Sequence, residues 1–256
     1  MNKKILYLGI LFGITLSSAD SSKVDTKAEE KFSHKLHWSY EGDTSPEHWA
    51  EIDKSFFLCK EGSNQSPINL SGFIEANLPP IKFNYHLNTT EILNNGHTEQ
   101  VNVKEGSSIL LDGTVFHLKQ FHFHTPSENQ INGNEYPLEA HFVHLSDNGT
   151  LAVVAVMFEE GAENEGLEEL WKVMPTKEGG HHKVDAKHLN ALLPKNRDYY
   201  RFNGSLTTPP CTEGVRWLVM KNSVTMSKEE IKSFEKVVHL HNNRPIQATN
   251  ARVILK

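Results

Sequence analysis

The stretch Gln120-Phe121-His122-Phe123-His124, read together with Glu139-Ala140-His141, decides how this chain folds and where its chemistry sits. On a β-strand, side chains alternate faces, so Gln120, His122 and His124 share one face while Phe121 and Phe123 share the other. A second strand carrying Glu139, His141 and Val143 repeats the pattern. If the two strands pair, three neutral imidazoles meet at one point. That is a ligand set for a tetrahedral Zn²⁺, with metal–nitrogen distances of about 2.0–2.1 Å and a fourth position open for catalysis. A metal-bound histidine donates its second ring N–H to a carboxylate or carbonyl. Gln120 and Glu139 each stand two residues before a histidine, on its own face.

Working outward, short strands separated by turn residues are expected over Gln100–Val103, Ser108–Leu111, Val115–Phe123, Leu138–Leu145, Leu151–Phe158 and Val215–Lys221. Asn-Gly, Asp-Gly and Asp-Asn-Gly separate several of these runs, which reads as hairpins and a largely antiparallel sheet. Helical patterns are fewer: Gly166–Val173, and Ser227–Leu240, where Ser227 with Glu230 forms a capping box. The fold class is therefore mainly β (α+β), one domain with a few short peripheral helices. A chain of 256 residues with 38% hydrophobic content is long enough for one sizeable core and short for two.

The N-terminus runs Asn2-Lys3-Lys4, then an apolar segment from Ile5 to Leu16, then Ser17-Ser18-Ala19. This is a charged lead, an apolar segment too short to span a bilayer and a small-x-small cleavage site, so residues 1–19 read as a signal peptide, an uncleaved anchor being the alternative. Residues 20–33 read as a disordered lead-in and 34–256 as the catalytic domain. The mature protein is expected to carry no membrane anchor and to be periplasmic or secreted. The net charge of -6 becomes -8 once Lys3 and Lys4 leave, and no Lys/Arg cluster appears. Nucleic-acid binding thus lacks an electrostatic footprint, and the partner is a small molecule. The two cysteines, Cys59 and Cys211, are most simply a disulfide in an oxidising compartment, two separate buried thiols being the alternative.

In order along the chain stand Gln65-Ser66-Pro67-Ile68-Asn69, Asn94-Asn95-Gly96-His97, Gln120 to His124, Glu139-Ala140-His141, Gly204-Ser205-Leu206-Thr207-Thr208-Pro209-Pro210-Cys211 and Asn243-Arg244-Pro245. Together they resemble an α-class carbonic anhydrase of the bacterial exported type, over nearly the whole mature chain. The resemblance implies a large, twisted, mostly antiparallel central sheet with zinc at the bottom of a conical cleft. It implies reversible hydration of CO₂ to bicarbonate and a proton by zinc-hydroxide attack, and sensitivity to sulfonamides.

Residue by residue, the resemblance implies that His122, His124 and His141 are the zinc ligands. Gln120, Glu139 and the backbone carbonyl of Asn242 would be their partners, and Thr207 with Glu128 a pair that orients the nucleophile. Val143, Val153, Leu206, Thr208, Val215 and Trp217 would form the substrate pocket. Ser66-Pro67 and Pro209-Pro210 would carry cis peptide bonds. Gln100 departs from many animal enzymes, which place Asn there. His97 would be the proton shuttle, an exposed imidazole titrating near 6.5. Such a relay is needed because a group of pKa about 7 sheds protons to water at only roughly 10²–10³ per second. The turnover quoted for carbonic anhydrase itself is about 10⁶ per second.

Two other readings stand beside this one. A cupin-like Fe or Mn enzyme would use Glu128 as a ligand in an H-x-H-x₃-E set, but it expects Gly where Phe116 stands and leaves Thr207-Thr208-Pro209-Pro210 unexplained. A non-catalytic binding protein of the carbonic anhydrase type would have lost a ligand histidine, and none is lost. The sequence leaves the oligomeric state open, a homodimer included.

Overall fold

The computed structural model describes residues 37–86, 88–238 and 241–256. The expected signal peptide and lead-in lie outside them, as do His239 and Leu240 of the second expected helix. In chain order the strands are β1 (Asn69–Leu70), β2 (Lys82–Asn84), β3 (Thr89–Asn94), β4 (Glu99–Val103), β5 (Ser108–Leu111), β6 (Thr114–His124), β7 (Gln130–Ile131), β8 (Leu138–Ser146), β9 (Leu151–Glu160), β10 (His181–Lys183), β11 (Tyr199–Ser205), β12 (Glu213–Met220) and β13 (Val224–Met226). The α-helices are short: α1 (Trp49–Ile52), α2 (Leu58–Glu61), α3 (Glu165–Trp171) and α4 (Lys228–Val238). At the start of α4, Ser227 Oγ accepts the Glu230 N–H at 3.2 Å and Glu230 Oε2 accepts the Ser227 N–H at 2.7 Å. This is the expected reciprocal cap.

One 11-stranded sheet dominates, in the order β10-β3-β4-β6-β8-β9-β12-β11, with β5 on the N-terminal half of β6, β2 beyond it and β13 beside β9. Its pairings are antiparallel except that β9 runs parallel to both β12 and β13. β9 is built for burial on both faces. Ala152, Val154, Val156 and Phe158 face one core while Val153, Ala155 and Met157 face the other. A strand apolar on both faces suits a doubly covered, parallel-type position.

β6 carries the central device. Its register with β8 shifts between Leu118 and Gln120, so that Leu118 pairs with His144 and Gln120 with Val143. This bulge reverses the alternation. Before it Phe116 and Leu118 face the larger core, and after it Phe121 and Phe123 do. The even-numbered Gln120, His122 and His124 are thereby turned to the opposite face. That face is floored by the second core, which contains Val143, Val153, Val215 and Trp217. On the larger core, Phe123 packs edge-on against Trp171 of α3 and Phe234 of α4.

A third cluster, Trp49 with Cys59 and Cys211, is closed by a Cys59–Cys211 disulfide across 152 residues of sequence. Ser66-Pro67 and Pro209-Pro210 are cis, and so is Thr125-Pro126, which the sequence reading did not include. β3 and β11 were also not among the expected strands.

Candidate metal centre

His122 lies opposite His141 across the β6–β8 ladder, and His124 lies opposite Glu139. Each imidazole has one ring nitrogen engaged. His122 Nδ1 meets Gln120 Oε1 at 2.9 Å, His124 Nδ1 meets the Asn242 carbonyl at 2.7 Å and His141 Nε2 meets Glu139 Oε1 at 2.8 Å. All three partners are acceptors, so each engaged nitrogen carries the hydrogen. The lone pairs therefore sit on His122 Nε2, His124 Nε2 and His141 Nδ1. The ligand atoms of the three residues lie within 4.8 Å of one another, and no other such group exists among the described residues.

Electrostatics keep these ligands neutral. Burial, reinforced by the neighbouring rings, holds the His122 and His141 imidazoles well below the usual value, and burial holds His124 below it too. His124 Nε2 is buried with no hydrogen-bond partner. An orphaned lone pair at the meeting point of three neutral imidazoles fits a divalent cation and fits little else.

Glu139 is fully buried, and burial raises its carboxyl to about 7 against the pull of Asn129. Asn129 supplies that pull through its backbone N–H and its amide, both at 2.7 Å. Glu128 is equally buried. Its Oε1 accepts the Arg244 backbone N–H at 2.9 Å, while Oε2 faces His124 Nε2 at 3.5 Å and His141 Nδ1 at 3.8 Å. Burial pushes its carboxyl well up, opposed by the Arg244 N–H and the Thr207 hydroxyl.

Thr207 is itself 5% exposed and stands on the loop after β11. That loop is fixed at several points: Ser66 N–H donates to Ser205 Oγ at 2.9 Å, Ser205 N–H to Ser66 Oγ at 3.1 Å, and Trp217 Nε1 to the Ser205 carbonyl at 3.0 Å. The Cys211 N–H closes it onto the Thr208 carbonyl at 2.8 Å. Val143, Val153, Val215 and Trp217 are buried together with Leu206 against them. The Trp217 ring meets the His141 ring edge-on at 4.9 Å, so the apolar wall adjoins one of the three histidines.

His97 differs from the sequence expectation. Its ring is not free in solvent but stacks on Trp38, 3.6 Å between centroids, with His37 at 6.1 Å. Burial and the neighbouring His37 lower its pKa to about 4. Trp38 lies far away in sequence, and nothing in Asn94-Asn95-Gly96-His97 announces such a lid.

Sequence reasoning missed Asn129, which grips Glu139, and gave no role to Arg244. The Arg244 guanidinium donates to Gln65 Oε1, the Ser66 carbonyl and the Cys59 carbonyl, each at 2.8 Å, while its N–H holds Glu128. The Arg244-Pro245 motif was visible; its partners are distant in sequence and were not. Outside the site, His188 pairs with Glu169 at 2.9 Å and His48 with Glu51 at 3.2 Å. These pairs are solvent-exposed.

The family model for eukaryotic-type carbonic anhydrase matches residues 44–256. A carbonic anhydrase of Pectobacterium carotovorum is 48% identical over 221 residues, 86% of this chain and 91% of that one. One from Neisseria gonorrhoeae is 48% identical, covering 86% and 88%. The solved α-carbonic anhydrase of Thermovibrio ammonificans, in complex with the inhibitor sulfanilamide, matches with a TM-score of 0.83 and 47% identity over 86% of this chain and 99% of its own. The cupin-like reading ends here. With three imidazoles facing one point and matches of this extent, the chain belongs to the α-carbonic anhydrase family, enzymes that hydrate CO₂.

Proposed function

We propose that the chain is an exported, zinc-dependent carbonic anhydrase in which His122, His124 and His141 hold the metal. Thr207 with Glu128 orients the nucleophile, and His97 relays the proton. The observation that carries the reading is the set of three imidazoles, His124 and His141 buried and His122 half-buried, each with its far nitrogen pinned by an acceptor and its near lone pair turned to a common point. Zinc bound there supplies the Lewis acidity that brings the pKa of water from 15.7 to about 7, a figure known from carbonic anhydrase itself. Three neutral ligands preserve that acidity. Glu139 holds His141 from behind without adding negative charge to the ligand set.

Ionised Glu128 only accepts, so the Thr207 hydroxyl gives its proton to Glu128 and turns lone pairs toward the cavity, orienting a donor held there. Burial opposes that ionisation. His124 Nε2 and His141 Nδ1 both face Glu128 Oε2, and a cation held by them would favour the ionised form. Val143, Val153, Leu206, Val215 and Trp217 give uncharged CO₂ an apolar wall, with Thr208 at its edge. A proton moving from a group near 7 to the stacked His97 near 4 climbs about 4 kcal/mol. The relay therefore uses His97 with its ring turned off Trp38 into water, where an imidazole titrates near 6.5.

The leader sequence and the Cys59–Cys211 bridge support a periplasmic or secreted location. Likeness to the sulfanilamide-bound Thermovibrio ammonificans enzyme supports sulfonamide inhibition. Stopped-flow CO₂ hydration before and after chelation tests the reading. Activity should vanish with the metal and return on adding zinc. Hydration that survives complete metal removal would refute it.

A further inference from the structure

Asn242 is 2% exposed, and every hydrogen-bonding group it owns is used. Its backbone carbonyl accepts from His124 Nδ1 at 2.7 Å, and its backbone N–H donates to the Thr125 carbonyl at 3.1 Å. Its side chain does separate work. Oδ1 accepts the Thr125 N–H at 2.7 Å, while Nδ2 donates to the Phe123 carbonyl at 2.9 Å and to the His97 carbonyl at 3.0 Å. The amide has one orientation only. Turned over, it would set N–H against N–H and oxygen against two carbonyls.

The carboxamide thus ties residues 123 and 125, which flank the ligand His124, to the turn that carries His97. A second staple runs alongside it: Thr98 Oγ1 donates to the same Phe123 carbonyl at 2.5 Å. Within the turn, Asn95 Oδ1 accepts the N–H groups of both His97 and Thr98 at 2.9 Å. His97 and Asn242 also line one cavity of about 210 Å³, together with Trp38 and His241. The His97 backbone is therefore tied to the strand that carries His124, so that any movement of the residue falls to its side chain, which here stacks on Trp38.

We propose that the Asn242 carboxamide is a positioning residue for proton transfer, holding the His97 turn against the metal-ligand strand so that the imidazole swings through water at a set distance from the metal centre. This rests on the reading of His97 as the relay. The Asn242 backbone carbonyl serves His124 whatever side chain is attached, so substitution separates the two roles.

The experiment compares Asn242→Ser, which cannot span to His97, and the isosteric Asn242→Asp, which replaces the donor by an acceptor, each alone and with His97→Ala. Both single variants should keep one zinc per chain and show roughly tenfold faster amide hydrogen exchange at His97 and Thr98. In dilute buffer their kcat should fall about five- to tenfold further than their kcat/KM, and imidazole buffer should restore most of it. In the His97→Ala background, Asn242→Ser should add no further loss of kcat. Parallel loss of kcat and kcat/KM, loss of zinc, or failure of both variants to fold would assign Asn242 to the scaffold and overturn the proposal. If His97→Ala lowers dilute-buffer kcat and Asn242→Ser does not, the coupling alone fails. If His97→Ala leaves kcat unchanged, the relay reading fails with it.

Discussion

Two residues near the centre carry opposite predictions because the roles proposed for them fall at different steps. Thr207→Ala removes an orienting hydrogen bond expressed in the transition state, so kcat/KM for hydration should fall by about 10²-fold at any buffer concentration. His97→Ala should lower kcat in dilute buffer while affecting kcat/KM far less, with small imidazole buffers restoring the loss. Stopped-flow assays of both variants across buffer concentrations check the split, and parallel behaviour would place His97 outside the relay. A third residue bears on stability. Glu99 is fully buried on β4, neither carboxylate oxygen has a hydrogen bond of good geometry, and burial raises it to about 8 against a slight opposing influence of Asn94. The native state keeps this proton up to about pH 8, whereas the unfolded chain releases it near 4.5. Native protein therefore binds more protons within that window, and stability declines as pH rises through it, the loss being complete above 8. Glu99→Gln should match the parent in denaturant melts near pH 4.5 and exceed it by a few kcal/mol, about 5 at most, near pH 8. A constant difference across that range would show that Glu99 does not titrate in this way.

At the scale of the element, β6 is where the site is built, and its bulge matters as much as its histidines. Deleting Lys119, the extra residue opposite no partner, should carry Gln120, His122 and His124 to the core face and Phe121 and Phe123 to the site. The expected result is a chain that has lost zinc and most of its stability; retained stoichiometric metal would show that the alternation does not depend on the bulge. Much of this was legible in sequence. Apolar residues stand at 116 and 118 and then at 121 and 123, so the change of parity is written in the chain even though the strand reads at first as simple alternation. The unbroken apolar run of β9 likewise announces burial on both faces. By contrast, β11, Tyr199–Ser205, mixes tyrosines, arginine, asparagine and glycine, and only its place beside β12 makes it a strand. The Trp38 cover on His97, the Asn129 grip on Glu139 and the Arg244 hub each depend on packing between separated segments, which no local pattern encodes.

Across the described residues, the sheet separates a larger apolar core from a face on which the three histidines and the apolar wall are assembled. The disulfide closes 152 residues, the span that contains nearly all of that assembly. In the chain-entropy model such a loop corresponds to about 5 kcal/mol. Reduction should lower the free energy of unfolding by up to a few kcal/mol, read as a lower midpoint in denaturant melts with and without reductant, and an unchanged midpoint would show that the bridge is stabilising nothing. The proposed activity requires three imidazoles converging on one cation. The most direct measurement is the zinc content of the purified protein and of His141→Ala by elemental analysis, with CO₂ hydration measured on the same samples. One zinc per chain with activity in the parent, and neither in His141→Ala, is the predicted result; full zinc occupancy in His141→Ala would contradict it.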